Sequence, residues 1–275
     1  MKKQVMIYDD ACPLCSAYTA GFVKMGLLDQ EERQCFSSVD PKLLTQIDVQ
    51  RSRNEIPLLD TITGEVSYGI DALVKLLGEK FSLIKWIAGT PALKFLLYKI
   101  YKLISYNRRS IVAAETNQVA FDCTPDFNIK YRLLFMILGL IFNTCMLFPL
   151  QHYVLAKSMM NTPTVMQVQL GHTLFVFANI YISARLKARQ GFEYAAQINM
   201  LALTAILLAM PLIFINRVNN TVPPFINNLY LAGILLFIIK EYLRRMKFAG
   251  ILYNKTNIVC LNIFCLIIFV IYLTH

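Results

Sequence analysis

Residues 5–15 read Val5-Met6-Ile7-Tyr8-Asp9-Asp10-Ala11-Cys12-Pro13-Leu14-Cys15, and the reading of the N-terminal half turns on them. Val5 to Tyr8 is a short apolar run of strand-forming residues. From Cys12 to Leu28, Leu14, Tyr18, Phe22 and Met25 recur at three- and four-residue spacing, which predicts a helix. A Cys-x-x-Cys pair held between strand and helix points to thiol–disulfide chemistry. A sulfur at a helix N-terminus faces unpaired N–H groups and the positive end of the helix dipole, so the thiolate of Cys12 is favoured over the thiol. Cys15, one turn further on, is placed to reach back and resolve a mixed disulfide.

Working outward, Gln34 to Val39 reads as a second strand and Pro41 to Val49 as a short helix. Leu58–Thr61 and Glu65–Tyr68 flank Ile62-Thr63-Gly64 as a hairpin, and Ile70–Leu77 is a closing helix ended by Gly78. The resulting order, β-α-β-α-β-β-α, is the thioredoxin-like pattern. Ile56-Pro57 falls at the start of the third strand, where thioredoxin-like proteins place a cis-proline beside the redox pair. Proline is the residue for which a cis bond costs little, and the sequence leaves the isomer open.

Tyr8 to Cys15 resembles the D-x-x-C-x-x-C signature of the DCC family of thiol–disulfide oxidoreductases. Two later segments carry the same resemblance: Gly69-Ile70-Asp71-Ala72-Leu73, and Tyr101-Lys102-Leu103-Ile104-Ser105-Tyr106-Asn107-Arg108-Arg109. Together they cover residues 1–112 in the family's order. The resemblance implies redox activity through Cys12 and Cys15, with Pro57 shaping a partner groove, and it names no substrate. Asp9 matches the family aspartate. It reads either as a proton shuttle for Cys15 or as a cap where strand meets helix. Asp10 stands where the family usually has glycine, and a carboxylate beside the sulfurs opposes thiolate formation. A zinc half-site is the competing reading of the two cysteines, but zinc takes four ligands. The first half has no histidine, and its other cysteines, Cys35 and Cys123, lack paired spacing. An inactive relic of the same fold is the other alternative.

The composition of the whole chain adds a second part. Of 275 residues 56 % are hydrophobic and 16 % charged, with mean hydropathy +0.50 and net charge +10. Disorder is excluded, and so little charge is unusual for a soluble domain. Residues 1–126 hold 15 basic and 15 acidic groups, so the excess falls entirely in residues 127–275, whose only acids are Glu193 and Glu241. Five apolar stretches, near 131–150, 168–184, 194–215, 225–243 and 257–273, approach the roughly 20 residues a helix needs to cross a bilayer. Basic loops (Lys130 and Arg132; Arg185, Lys187 and Arg189; Lys240 to Lys255) alternate with poor ones (Lys157; Arg217). By the positive-inside rule the N-terminus is cytoplasmic and the C-terminus extracytoplasmic. The start of the chain does not read as a secretory signal, because Asp9 and Asp10 cut its apolar run short.

The expected architecture is an α/β thioredoxin-like domain (1–112), a linker (113–128) and an all-α transmembrane helical bundle of about five spans (129–275), in a bacterial inner membrane. Its expected activity is thiol–disulfide exchange with protein or small-molecule thiols and disulfides; no cofactor, metal or nucleic acid is called for. The alternative is a transport, channel or assembly protein whose N-terminal domain is a non-catalytic regulator. Asn143, Asn179, Gln197, Asn199 and Asn262 read as hydrogen-bonding glue between spans. Cys145, Cys260 and Cys265 read as small apolar side chains rather than an electron relay. His152 and His172 read as interfacial polar residues rather than haem or quinone ligands. Leu93 to Ile104, interleaved with Lys94, Lys99 and Lys102, either lies on the inner leaflet or packs on the soluble domain.

Overall fold

The computed structural model describes residues 4–113, 124–158, 162–218, 222–253 and 255–274. The chain divides into two units, Met1–Arg132 and Leu133–His275. Cys123 lies outside the described residues, as do 114–122 of the expected linker.

The first unit is built on a mixed four-stranded sheet in the order β2-β1-β3-β4. Strand β1 (Gln4–Tyr8) runs parallel to β2 (Arg33–Cys35), with Tyr8 opposite Cys35. It runs antiparallel to β3 (Pro57–Asp60), with Val5 opposite Leu59, and β3 pairs antiparallel with β4 (Val66–Tyr68). A central strand is covered on both faces, and all five residues of β1 are buried. Alternation then sorts them. Met6 and Tyr8 pack with Phe22, Leu58, Ala72 and Leu76 on one face, whereas Val5 and Ile7 pack with Phe36, Val39 and Ile47 on the other. A one-residue slip would exchange the two sets.

Helix α1 (Pro13–Lys24) follows β1. The single helix expected over Pro41–Val49 is instead two short ones, α2 (Pro41–Leu44) and α3 (Val49–Ser52). Each has its own aspartate cap: Asp40 accepts from the Lys42 amide and Asp48 from the Arg51 amide, so the second cap restarts the helix rather than continuing it. Helix α4 (Gly69–Lys80) runs through the buried Gly78 instead of ending there. It is followed by α5 (Ser82–Gly89) and α6 (Pro91–Val112). The described end of the expected linker belongs to this unit: Asp126 and Asn54 exchange two hydrogen bonds (2.7 and 3.0 Å), and Asn107 Nδ2 donates to the Tyr131 carbonyl at 3.1 Å. The boundary between units therefore falls inside the next helix, α7 (Ile129–Leu150), and not at its start.

Among the described residues, four helices are long and apolar enough to cross a bilayer: Ile129–Ser158, Val165–Arg185, Ala188–Val218 and Pro224–Phe248. This is an integral membrane protein. The first of the four is α7 extended by one π-helical turn (Gln151–Leu155) and a short α8 (Ala156–Ser158). Pro149 precedes that turn; it has no N–H to donate to the turn before it. The others are α9 (Val165–Arg185), α10 (Ala188–Val218) and α11 (Pro224–Phe248). The fifth expected stretch is helical as α12 (Thr256–Thr274), but its described apolar part, Thr256–Ile268, falls in a shorter class.

Within the second unit the in-span polar residues bond to one another. Asn199 Nδ2 donates to the Met136 carbonyl at 3.1 Å, and Asn262 Nδ2 donates to the hydroxyls of Tyr194 and Tyr242 at 2.8 and 3.0 Å. The Tyr194 hydroxyl donates to Asn179 Oδ1. Both acids are engaged: Glu193 accepts from Gln197 at 2.6 Å, and Glu241 pairs with Arg244 and Arg245. Gly139 lets α7 approach α10, since a Cβ there would meet Asn199 Nδ2 at 2.5 Å. Cys145 and Cys260 are exposed. His152 stacks on Phe148.

Candidate functional site

Cys12 is the N-cap of α1, with extended backbone (φ −104°, ψ 107°), and Pro13 is the first helical residue. Proline suits that position because its missing N–H would have no helical partner. The Cys12 sulfur accepts the Cys15 backbone N–H at 3.4 Å. Both cysteines are buried, at 2 % and 5 % exposure. The helix therefore presents one of its first-turn amides to sulfur rather than to oxygen.

Two further groups complete the site. Asp9, at the end of β1, accepts from the Ala11 amide at 3.1 Å and from Arg108 Nη2 at 3.1 Å. Asp9 therefore orders the turn into α1 but is not its cap. Arg108 comes from the C-terminal half of α6, 99 residues away, and only 6 % of it is exposed. Its guanidinium sits in the field of Cys12, Cys15 and Asp9 together. Burial alone lowers its pKa. The two sulfurs and the Asp9 carboxyl that face it outweigh that and hold Arg108 above its ordinary pKa.

The electrostatics separate the two sulfurs. Cys12 is pulled down to about 6, first by the hydrogen bond from the Cys15 thiol, then by the Cys15 amide and the Arg108 charge, against the opposing effect of burial. Cys15 moves the other way, because its proton is held by Cys12 and burial disfavours its charge. One thiol is thus the ready nucleophile and the other the proton-holding partner, the division that pairs of titratable groups in one site commonly show. Asp9 is raised by burial despite Arg108 and Arg109 beside it. The members of the Asp9–Arg108 pair thus shift in a way that favours the charged arginine but not the charged carboxylate: the carboxylate loses more to desolvation than it regains. Asp10, expected to oppose the thiolate, is exposed and accepts from Ser37 Oγ at 2.8 Å. The negative charge that opposes Cys12 is that of Asp9.

A cavity of about 250 Å³ reaches Cys15, Asp9 and Arg108, with Leu14, Tyr18, Ile56, Leu73 and Tyr101 among its largely apolar walls. Its lining draws on all three segments singled out in the sequence: the cysteine motif, Leu73 behind the buried Ala72, and Tyr101 with Arg108 on one face of α6. Tyr101 also donates from its hydroxyl to none of these but accepts the Ile56 amide at 2.9 Å, tying α6 to the entry of β3. Burial raises its hydroxyl to about 12. Pro57 opens β3 with a trans peptide; among the described residues no peptide bond is cis. Ile56 lines the cavity and Pro57 does not. Among the described residues no three His, Cys, Asp or Glu side chains converge as metal ligands would.

The sequence reading assigned no role to Tyr18, Tyr101 or Arg108. The available signal was spacing: Tyr101 and Arg108 are seven residues apart, hence on one helical face, inside a segment already set apart by its resemblance. No family model, curated protein or solved structure matches the chain.

Proposed function

We propose that the N-terminal unit is a thioredoxin-like thiol–disulfide oxidoreductase of the DCC type, anchored to the membrane by the helices that follow it. The observation that carries this reading is the N-capping sulfur of Cys12, acidified by Cys15 and Arg108 in one buried site. The sheet order β2-β1-β3-β4, with a parallel β1/β2 pair and antiparallel neighbours on the other side, supports the thioredoxin-like fold. The convergence of the three DCC-like segments on one cavity supports the family.

In the proposed reaction the Cys12 thiolate attacks one sulfur of a substrate disulfide. The substrate S–S bond breaks, a Cys12–substrate disulfide forms, and one substrate thiolate leaves. Cys15 then gives its proton to Asp9 and attacks the Cys12 sulfur. The second substrate thiolate is released and a Cys12–Cys15 disulfide remains. The substrate has gained two electrons and the pair has lost two; cytoplasmic thiols return them by the reverse exchange. Cys12 is 2 % exposed, and the small apolar cavity is lined by Cys15 rather than by Cys12; so enclosed a pair suits a low-molecular-weight disulfide or thiol better than a loop of a folded protein. The charge pattern of the loops supports a cytoplasmic N-terminus, and α12 as a fifth span brings the C-terminus to the opposite side.

Incubation of the full-length protein with a neutral aromatic disulfide tests the assignment. Cys15→Ser should accumulate an adduct on Cys12, read by intact mass, and Cys12→Ser should neither form the adduct nor exchange. Retention of full exchange by both variants would overturn the proposal.

A further inference from the structure

Helices α5 and α6 leave a large apolar surface on the first unit. Trp86 is 67 % exposed and Phe95 63 %, with Leu83, Leu96 and Ile100 exposed beside them. A soluble surface rarely carries so much contiguous apolar area without a partner. On α6 the pattern is ordered: at 100° per residue, Leu93, Leu96, Leu97, Ile100 and Ile104 fall within an arc of about 100°, and Lys94, Lys99 and Lys102 lie outside it. Residues 82–112 contain six basic groups and no acid.

Two observations choose the occupant. The first is charge: neither helix carries an acid of its own, Lys99 lies over the Phe95 ring, and the acid paired with Lys94 is the exposed Asp71 of α4 at 2.9 Å, an ion pair open to exchange with headgroups. Such a lysine-bordered apolar face complements an anionic bilayer surface, and tryptophan and tyrosine favour that interface. The second is continuity within this unit. The C-terminal half of α6 is fastened to the first turn of α7, the helix that begins the first span. Asn107 Nδ2 donates to the Tyr131 carbonyl, Tyr106 stacks on Tyr131 with centroids 5.0 Å apart, and Arg132 donates to Ser110 Oγ. The amphipathic helix is thereby held where the chain enters lipid.

We propose that α5 and the N-terminal half of α6 form an in-plane membrane hairpin, seated with Trp86, Leu96 and Ile100 among the acyl chains and Lys94 and Lys99 at anionic headgroups. Ile104, half-exposed at the end of the same stripe, also lines the cavity beside Cys15. The membrane face and the rim of the candidate site therefore share a residue.

Trp86 is the only tryptophan of the chain, so its fluorescence reads the claim directly. The full-length protein is reconstituted in phosphatidylcholine vesicles with and without phosphatidylglycerol, and with brominated acyl chains. The expected result is blue-shifted emission, quenched severalfold more by brominated lipid than by aqueous acrylamide, and quenched more when phosphatidylglycerol is present. Leu96→Glu/Ile100→Glu should lose the bromolipid quenching, and Lys94→Gln/Lys99→Gln should lose the dependence on anionic lipid. Water-like emission quenched by acrylamide would overturn the proposal. So would emission shielded from both quenchers, which would mean that protein covers the face, from a second copy or from elsewhere in the chain.

Discussion

At the scale of single residues, the site depends on opposite charges acting on one sulfur. Arg108 favours the Cys12 thiolate and Asp9 opposes it, so removing them should move the titration of Cys12 in opposite directions. Arg108→Gln should raise its midpoint by about one pH unit and Asp9→Asn should lower it, the latter wherever Asp9 is ionised. Both shifts can be read from the ultraviolet absorbance of the thiolate. Arg108→Gln also leaves a buried carboxylate without its partner and should cost about 3–5 kcal/mol; the Asp9→Asn/Arg108→Gln double variant should recover part of that loss. The sign of the linkage follows from the depressed thiol. The Cys12 thiolate favours the folded, reduced protein above the ordinary thiol range, and that contribution fades as the pH falls through about 6. A stabilised thiolate also stabilises the reduced pair, making the Cys12–Cys15 disulfide a stronger oxidant than an unperturbed one.

At the scale of elements, much of the first unit was legible because local rules agree with the fold. The apolar run at Val5–Tyr8, the turn at Ile62-Thr63-Gly64 (where Gly64 has φ +72°) and the three- and four-residue spacing after Cys12 each read directly as structure. The split between α2 and α3 was missed because Asp48 acts as a second cap inside an apolar run, which periodicity does not register. The trans bond at Pro57 depends on tertiary context that the residue type alone does not set. Arg108 was legible only in part: spacing puts it on the face of α6 that carries Tyr101, but its partner Asp9 lies 99 residues away, a contact that spacing does not carry. The junction of α4 and α6 is equally non-local. Gly69 has φ +59°, and a Cβ there would lie 3.0 Å from the Tyr101 ring, so α6 can press against the start of α4 only because that residue is glycine. Tyr101→Phe removes the acceptor for the Ile56 amide and should destabilise the first unit by about 1–3 kcal/mol, seen as a lower thermal midpoint of the full-length protein in detergent.

At the scale of the whole molecule, the chain joins a unit with a buried Cys-x-x-Cys pair to helices in which Asn179, Tyr194, Tyr242 and Asn262 bond to one another. That arrangement suits the proposed role of the helices as an anchor. The burial of both cysteines makes substrate size the discriminating property. With rates normalised to each reagent's reaction with a free small thiol, a neutral aromatic disulfide should exchange at least about tenfold faster than oxidised glutathione, the order expected when one ligand fits an apolar cavity and the other must strip polar groups of water. Leu73→Trp, which fills the cavity, should remove that preference; equal rates in both forms would show that the cavity does not admit the substrate.

The most direct test is the acid–base titration of Cys12 in the reduced, full-length protein, taken as the difference in ultraviolet thiolate absorbance between the native chain and Cys12→Ser. A midpoint near 6 is the expected result. A midpoint at the ordinary thiol value of about 8.5 would contradict the assignment of Cys12 as the activated nucleophile.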